Sequence, residues 1–226
     1  MQNLEDWGCA GGMVLHIATN AHQQTSVNNF AKESQHGNLY CFGGVYPCAE
    51  NALEEMERIK EMGLYGIKLH PDYQEFFIGD EGALPIYAQA EKLGLPIAFH
   101  TGRDPLSPNL IHCPADVLGK IADLFPRLTI IAAHMGGMDT PQEAAKHLAG
   151  KKNVYFDTAF ASHFLDAASF TQLVKLHGAD KVLFATDCPW STPLRELPLL
   201  ERAGFTPEER ERITWKNALA LLERKR

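Results

Sequence analysis

LPIAFHTG, residues 95–102, is a short apolar run that ends abruptly in His100, Thr101 and Gly102. The run does not alternate polar with apolar residues, which predicts a strand buried on both faces, as in a parallel sheet covered by helices. Two later stretches share this form, LTIIAAHMGG (128–137) and KVLFATDCPW (181–190), ending in His134 and Asp187. An earlier one, YGIKLHP (65–71), ends in His70. Apolar strands finished by imidazoles and carboxylates place those side chains on one rim of a parallel barrel, the rim at which such barrels carry out chemistry.

Working outward, MVLHIAT (13–19), NLYCFGGVY (38–46) and NVYFDT (153–158) read as three more strands. The strand tips at His16, Tyr46, His70, His100, His134, Thr158 and Asp187 then recur about every 30 residues, the length of one strand plus one returning helix. Alternating strands and helices at this pitch predict an α/β fold of the (β/α)8 TIM-barrel type with right-handed crossovers. Seven strands are found, so the expected architecture is a barrel lacking its first strand. It would form a single N-terminally incomplete domain over residues 1–226, with two sheet edges that need covering by rearrangement or by a homo-oligomer.

Helices are expected over 3–10, over 20–35 starting at Thr25 or Ser26, over 49–62 with Leu53, Met56 and Ile59 on one face, and over 84–93 ending at Gly94. Further helices are expected over 115–125, after Thr140-Pro141, and over 164–177. A final one is announced by Thr206, Pro207 and Glu209, an N-cap, a first-turn proline and a capping-box glutamate. Residues 71–82, with Tyr73, Phe76 and Phe77, form a longer loop that reads either as a lid or substrate wall, or as aromatics packed on the next helix. Gly136 and Gly137 are expected to let the backbone approach whatever fills the barrel mouth.

The chain has 226 residues, 45% of them hydrophobic and 22% charged, enough for one large globular core. A formal charge of −7 with no basic run argues against a nucleic-acid or anionic-membrane partner, since both require clustered Lys and Arg. A small-molecule partner fits better. Five cysteines without a CxxC spacing, and an N-terminus with no long apolar core, predict a reducing, cytoplasmic setting. Cys188 is singled out for a site role because it adjoins Asp187.

His100, His134 and Asp187 are residue types that hold zinc, manganese or iron. Lys68 and His70, two apart on a strand, share a face. A metal at the rim would lower the pKa of a water to about 7 and polarise a carbonyl. Asp187 would then ligate it or accept a proton, and His134 would orient the nucleophile or donate to an oxyanion.

GIKLHP, LGLPIAFHTG, AAHMGG, ATDCPW and the final KNALALL, in that order, resemble the amidohydrolase-related metal-dependent hydrolases, the branch that includes the aminocarboxymuconate-semialdehyde type decarboxylases. The resemblance runs from Leu4 onward. It implies a barrel in which His100 is a metal ligand, His134 activates water or substrate, and Asp187 sits at the metal and the reacting water. It also implies hydrolysis of a C–N or C–O bond, or non-oxidative decarboxylation, of a small molecule. That family carries a His-x-His pair of ligands on its first strand, and no such pair occurs in this sequence. His70 or His16 is the candidate replacement. Lys68, His70, Arg103 and Trp190 are candidates for substrate contacts. Two other readings stay open: a metal-independent, lactonase-like hydrolase, and a non-catalytic protein that binds a small acid in the mouth.

Overall fold

The computed structural model describes residues 2–223 and contains seven strands, all parallel and paired in chain order. They are β1 (Gly12–Leu15), β2 (Leu39–Gly44), β3 (Ile67–Leu69), β4 (Ile97–Phe99), β5 (Ile130–Ala132), β6 (Val154–Asp157) and β7 (Val182–Leu183). Helices connect successive strands, so the sheet curls as a TIM-barrel-type α/β structure. The register places Ile67, Ile97, Ile130 and Val154 side by side, and Leu69, Phe99 and Ala132 in the next row.

Side-chain alternation sorts these strands into two apolar layers. Ile67, Leu69, Ile97, Phe99, Ile130, Ala132, Val154 and Phe156 face outward and pack with Met56, Ile59, Ile86, Tyr87, Leu118, Ile121, Phe170 and Val174 of the surrounding helices. Phe42, Ala98, Ile131, Tyr155 and Leu183 face inward and form a second cluster. Continuing the same parity past the strands puts Lys68, His70, His100 and Asp157 on the inner face.

The C-terminal segment fills that interior from below. Leu221 and Leu222 belong to the inner cluster, against which Met13 and Leu15 of β1 also pack. The capping box read from the sequence is present, with Glu209 N–H donating to Thr206 Oγ1 and Thr206 N–H donating to Glu209 Oε2. The helix it starts is not regular. A π-turn at Arg212–Lys216 sends the Asn217 N–H back to the Arg212 carbonyl, which releases the carbonyl of Ile213. Ile213 O instead accepts the N–H of Phe184 at 2.8 Å, and Asn217 Nδ2 donates to Ala179 O and Val182 O at 2.7 and 2.8 Å. The outer edge of β7 is therefore covered from within the chain.

Several sequence expectations are corrected. The 20–35 helix begins as a 3₁₀ turn at Ala21–Gln23 and becomes α-helical at Gln24–Ser34, with neither Thr25 nor Ser26 as its cap. It is held by buried polar groups: Asn28 exchanges hydrogen bonds with Gly44, and Gln24 Oε1 accepts from Tyr46 N–H. The 164–177 helix starts at Ala167, where Asp166 accepts from Ser169 N–H. A helix at Pro193–Arg202 was not foreseen because Pro198 lies inside it. Residues 71–82 open with a helical turn at Pro71–Gln74 and bury Phe76 and Ile78, so only Phe77 of the expected lid aromatics projects outward. No described helix is long and apolar enough to cross a membrane.

Candidate active site

Ile97, Ala98 and Phe99 end β4 at the rim, and His100 follows on the inner face. Gly102 then turns the chain with φ +86°, where a Cβ would lie 2.2 Å from Met138 N. Only glycine allows this approach, and it locks the His100 loop to the His134 loop: Arg103 N–H donates to Met138 O and Met138 N–H to Thr101 O, while Gly102 N–H donates to Cys113 O within the His100 loop itself. His134 itself sits just past β5 with a positive φ, its N–H donating to Asp157 Oδ1 at 3.0 Å. Gly136 and Gly137 do not open space for a ligand. A Cβ on Gly136 would meet the Phe156 ring, and one on Gly137 would meet Thr140 Oγ1, so these glycines serve packing inside the protein.

Three imidazoles meet at the rim. His134 Nε2 lies 3.0 Å from His100 Nδ1, and His134 Nδ1 lies 2.9 Å from the Ala159 carbonyl. His70 stacks on His100 with centroids 4.3 Å apart and planes 11° from parallel, and Tyr73 stacks on the other face of His70 at 3.7 Å. The helical turn carrying Tyr73 is fixed by Gln74, which accepts the His70 N–H and donates to Ala18 O and Val45 O, both at 2.7 Å.

Two carboxylates absent from the sequence expectations complete the cluster. Asp104 Oδ2 lies 3.5 Å from His100 Nε2 and 3.8 Å from His70 Nε2. Asp72 Oδ2 lies 4.0 Å from His100 Nε2, while its Oδ1 accepts from His112 Nδ1 at 2.8 Å and from Ser107 Oγ. Among the described residues, His70, His100 and Asp104 are a set whose potential ligand atoms all fall within 4.8 Å of one another. Asp72 lies in the short helical turn Pro71–Gln74 and Asp104 in the irregular segment after β4, with no periodic pattern to mark either. Asp157 was visible as a carboxylate at a strand tip, one residue before the Thr158 chosen from the sequence.

Burial governs the electrostatics. It drives the His70 imidazole down to about 2 and the His100 imidazole well below the ordinary histidine value, with the charges at Lys68 and His134 acting in the same direction. Burial likewise lowers the Lys68 amine, opposed by the carboxylates of Asp157 and Asp187, and raises Asp157 and Asp104. Lys68 is buried, and no described carboxylate is within ion-pairing distance of its Nζ. The rim is thus short of counter-charge of both signs.

The other candidates fall outside this cluster. Asp187 is exposed, with φ +61°, although its charge is felt at Lys68, Tyr73 and Asp104, so it borders the same mouth. His16 lies at the end of β1, where its Nδ1 donates to Phe42 O and its ring meets Phe30 edge-on. Arg103 points outward and donates to Pro108 O, Trp190 is 66% exposed, and Cys188 is exposed.

A family model described as amidohydrolase matches residues 11–224. The chain belongs to the amidohydrolase family. Members of that family are enzymes, and this chain has the corresponding barrel and a histidine-rich rim. Among solved structures, an uncharacterised TIM-barrel protein from Bordetella bronchiseptica superposes with a TM-score of 0.81 at 22% identity, covering 99% of this chain and 81% of that one. A 2,6-dihydroxybenzoate decarboxylase from Rhizobium gives 0.75 at 17% identity, covering 100% and 87%. A dihydroxybenzoic acid decarboxylase from Polaromonas, solved with bound manganese and the inhibitor 2-nitroresorcinol, gives 0.75 at 18%, covering 100% and 85%. At these identities the likeness is one of fold.

Proposed function

We propose that this chain is a metal-dependent hydrolase or non-oxidative decarboxylase of a small carboxylated molecule, working at the C-terminal mouth of the barrel. The observation that carries the reading is the convergence of His70, His100, His134 and Asp104 beside the buried Lys68, which pairs with no described carboxylate. The residues fit a divalent cation, because the buried Asp72 Oδ2 has no hydrogen-bond partner and His100 Nε2 is surrounded by oxygen acceptors. His100 would hold the ion. A divalent ion there supplies acidification of a water and polarisation of a carbonyl.

The chain's own groups do the rest. Lys68 meets the substrate carboxylate with an ammonium that has no other described partner. His134 donates from Nδ1 to Ala159 O, so its Nε2 accepts from His100 Nδ1–H, which leaves the His100 lone pair on Nε2. Asp187, at the rim, accepts the proton released in the reaction. Tyr73, the outermost ring of the Tyr73–His70–His100 stack, offers a flat aromatic face suited to a planar substrate.

The test is turnover of 2,6-dihydroxybenzoate, related aryl carboxylates, lactones and amides by the chain loaded with manganese or zinc and by the chelated chain. Metal-dependent turnover that His100→Ala lowers at least 100-fold supports the proposal. Turnover indifferent to chelation would mean metal-free hydrolysis, and tight binding without turnover would mean a binding protein.

A further inference from the structure

The carbonyl that receives His134 Nδ1–H belongs to a strained turn. Thr158 O accepts the Ala161 N–H at 3.0 Å, closing a β-turn over residues 158–161. Phe160, its third residue, lies at φ +59° and ψ +9°, while Ala159 before it is not at positive φ, which makes the turn type II. That position favours glycine, because a Cβ is penalised at positive φ, and here a phenylalanine occupies it. The relaxed alternative is a type I turn over the same four residues. Passing from type II to type I rotates the central peptide by roughly 150–170°. The Ala159 carbonyl would then point away from His134 Nδ1, from which it now lies 2.9 Å.

Contacts on both sides of the turn hold the strained form. Upstream, Asp157 Oδ1 accepts the N–H groups of Ala159 and His134, each at 3.0 Å. Downstream, Glu196, buried on the helix at Pro193–Arg202, accepts the Ser162 N–H at Oε2 and the Ser162 hydroxyl at Oε1, both at 2.9 Å. Glu196 Oε1 also accepts from Ser191 Oγ, so the loop after β6 is tied to the loop that follows Asp187. The Phe160 ring stacks on His163 with centroids 3.7 Å apart and planes 1° from parallel.

The orientation of this one peptide decides where the hydrogens of two imidazoles lie. Three polar gaps run in series: Ala159 O to His134 Nδ1 at 2.9 Å, His134 Nε2 to His100 Nδ1 at 3.0 Å, and His100 Nε2 to Arg103 O at 3.2 Å. Two neutral imidazoles carry two N–H groups, so the carbonyls at the two ends compete. With Ala159 O in place, the hydrogens fill the first two gaps and His100 Nε2 keeps its lone pair. With Ala159 O turned away, His134 would donate from Nε2, and His100 would donate from Nε2 to Arg103 O.

We infer that Glu196, Ser162 and the Phe160–His163 stack are positioning residues, which hold the Ala159–Phe160 peptide in the orientation that selects the tautomer of His134 and, through it, the free nitrogen of His100. This rests on the metal-dependent reading above only for the use to which that free nitrogen is put.

The experiment is 1H–15N correlation spectroscopy of the full chain labelled with 15N-histidine, at pH 8 without added metal, the His134 signals being assigned by their loss in His134→Gln. The unaltered chain is expected to carry the His134 hydrogen on Nδ1, and finding it on Nε2 would overturn the assignment without recourse to any further variant. Glu196→Gln leaves one acceptor oxygen where two served Ser162, and Phe160→Ala keeps the Cβ while deleting the stack. Each should move the hydrogen to Nε2. Phe160→Gly should keep it on Nδ1, and Phe160→Gly added to Glu196→Gln should return it there, because glycine adopts positive φ freely. General loosening of the loop would be worsened by glycine, so this rescue separates positioning from mere stability. Retention of the Nδ1 hydrogen in Glu196→Gln or Phe160→Ala, or its loss in Phe160→Gly, would refute the inference. Metal-dependent turnover alongside such a result would spare the proposed function, whereas the expected tautomers in a chain that turns over no substrate would sink the function alone.

Discussion

His177 should make the fold acid-sensitive, and the size of the effect follows from its surroundings. The ring is buried, stacks on Phe156 at 3.8 Å and 14°, and accepts the Gly150 N–H at Nδ1, which leaves its hydrogen on an Nε2 that has no partner. Burial lowers its pKa to about 4, outweighing the carboxylate of Asp180. The unfolded chain titrates near 6.5, so between pH 6.5 and 4 the unfolded state binds a proton that the folded state refuses. Stability contributed by this residue is intact above pH 6.5, falls at up to about 1.4 kcal/mol per pH unit below it, and levels off near pH 4 after a loss of about 3 kcal/mol. Other buried histidines contribute to the total, so the informative quantity is the difference between the protein and His177→Gln, whose side chain still offers Gly150 an acceptor. Urea unfolding at pH 7.5, 5.5 and 4.5 should show the two stability curves converging as pH falls, by about 2 to 3 kcal/mol between the extremes. Parallel curves would refute the reasoning.

Gly102→Ala should cost about 3 kcal/mol or more, because a Cβ there meets Met138 backbone in a left-handed conformation; a melting temperature within a degree of the original would contradict this. Asn217→Ala removes two hydrogen bonds to the carbonyls of Ala179 and Val182 and should cost about 2 to 3 kcal/mol in urea unfolding, with faster hydrogen exchange at β7. Lys68→Met should weaken binding of 2,6-dihydroxybenzoate about 10- to 100-fold while leaving Mn2+ affinity unchanged or higher, since it removes a cation from the mouth. Equal loss of both affinities would show that Lys68 acts on the architecture of the rim.

What the sequence made legible here is what periodicity and termination encode. Non-alternating runs ending in His100 and His134 marked buried strands and the side chains at their tips, because a strand covered on both faces has to be apolar until it leaves the sheet. The same logic could not mark Asp72 and Asp104. Their positions are set by the turn after Pro71 and by the close approach of Gly102 to Met138, contacts between segments far apart in the chain. Asp187 shows another limit: its strand-tip signal is clear, yet β7 ends at Leu183 and the residue is held at positive φ on the exposed border of the mouth, which no strand pattern announces. The C-terminal helix was legible by its capping box at Thr206 and illegible at its π-turn, for which no residue type is diagnostic. That turn follows from its partner: Phe184 N–H on the edge of β7 needs an acceptor, and Ile213 provides one only if the helix gives up a regular hydrogen bond.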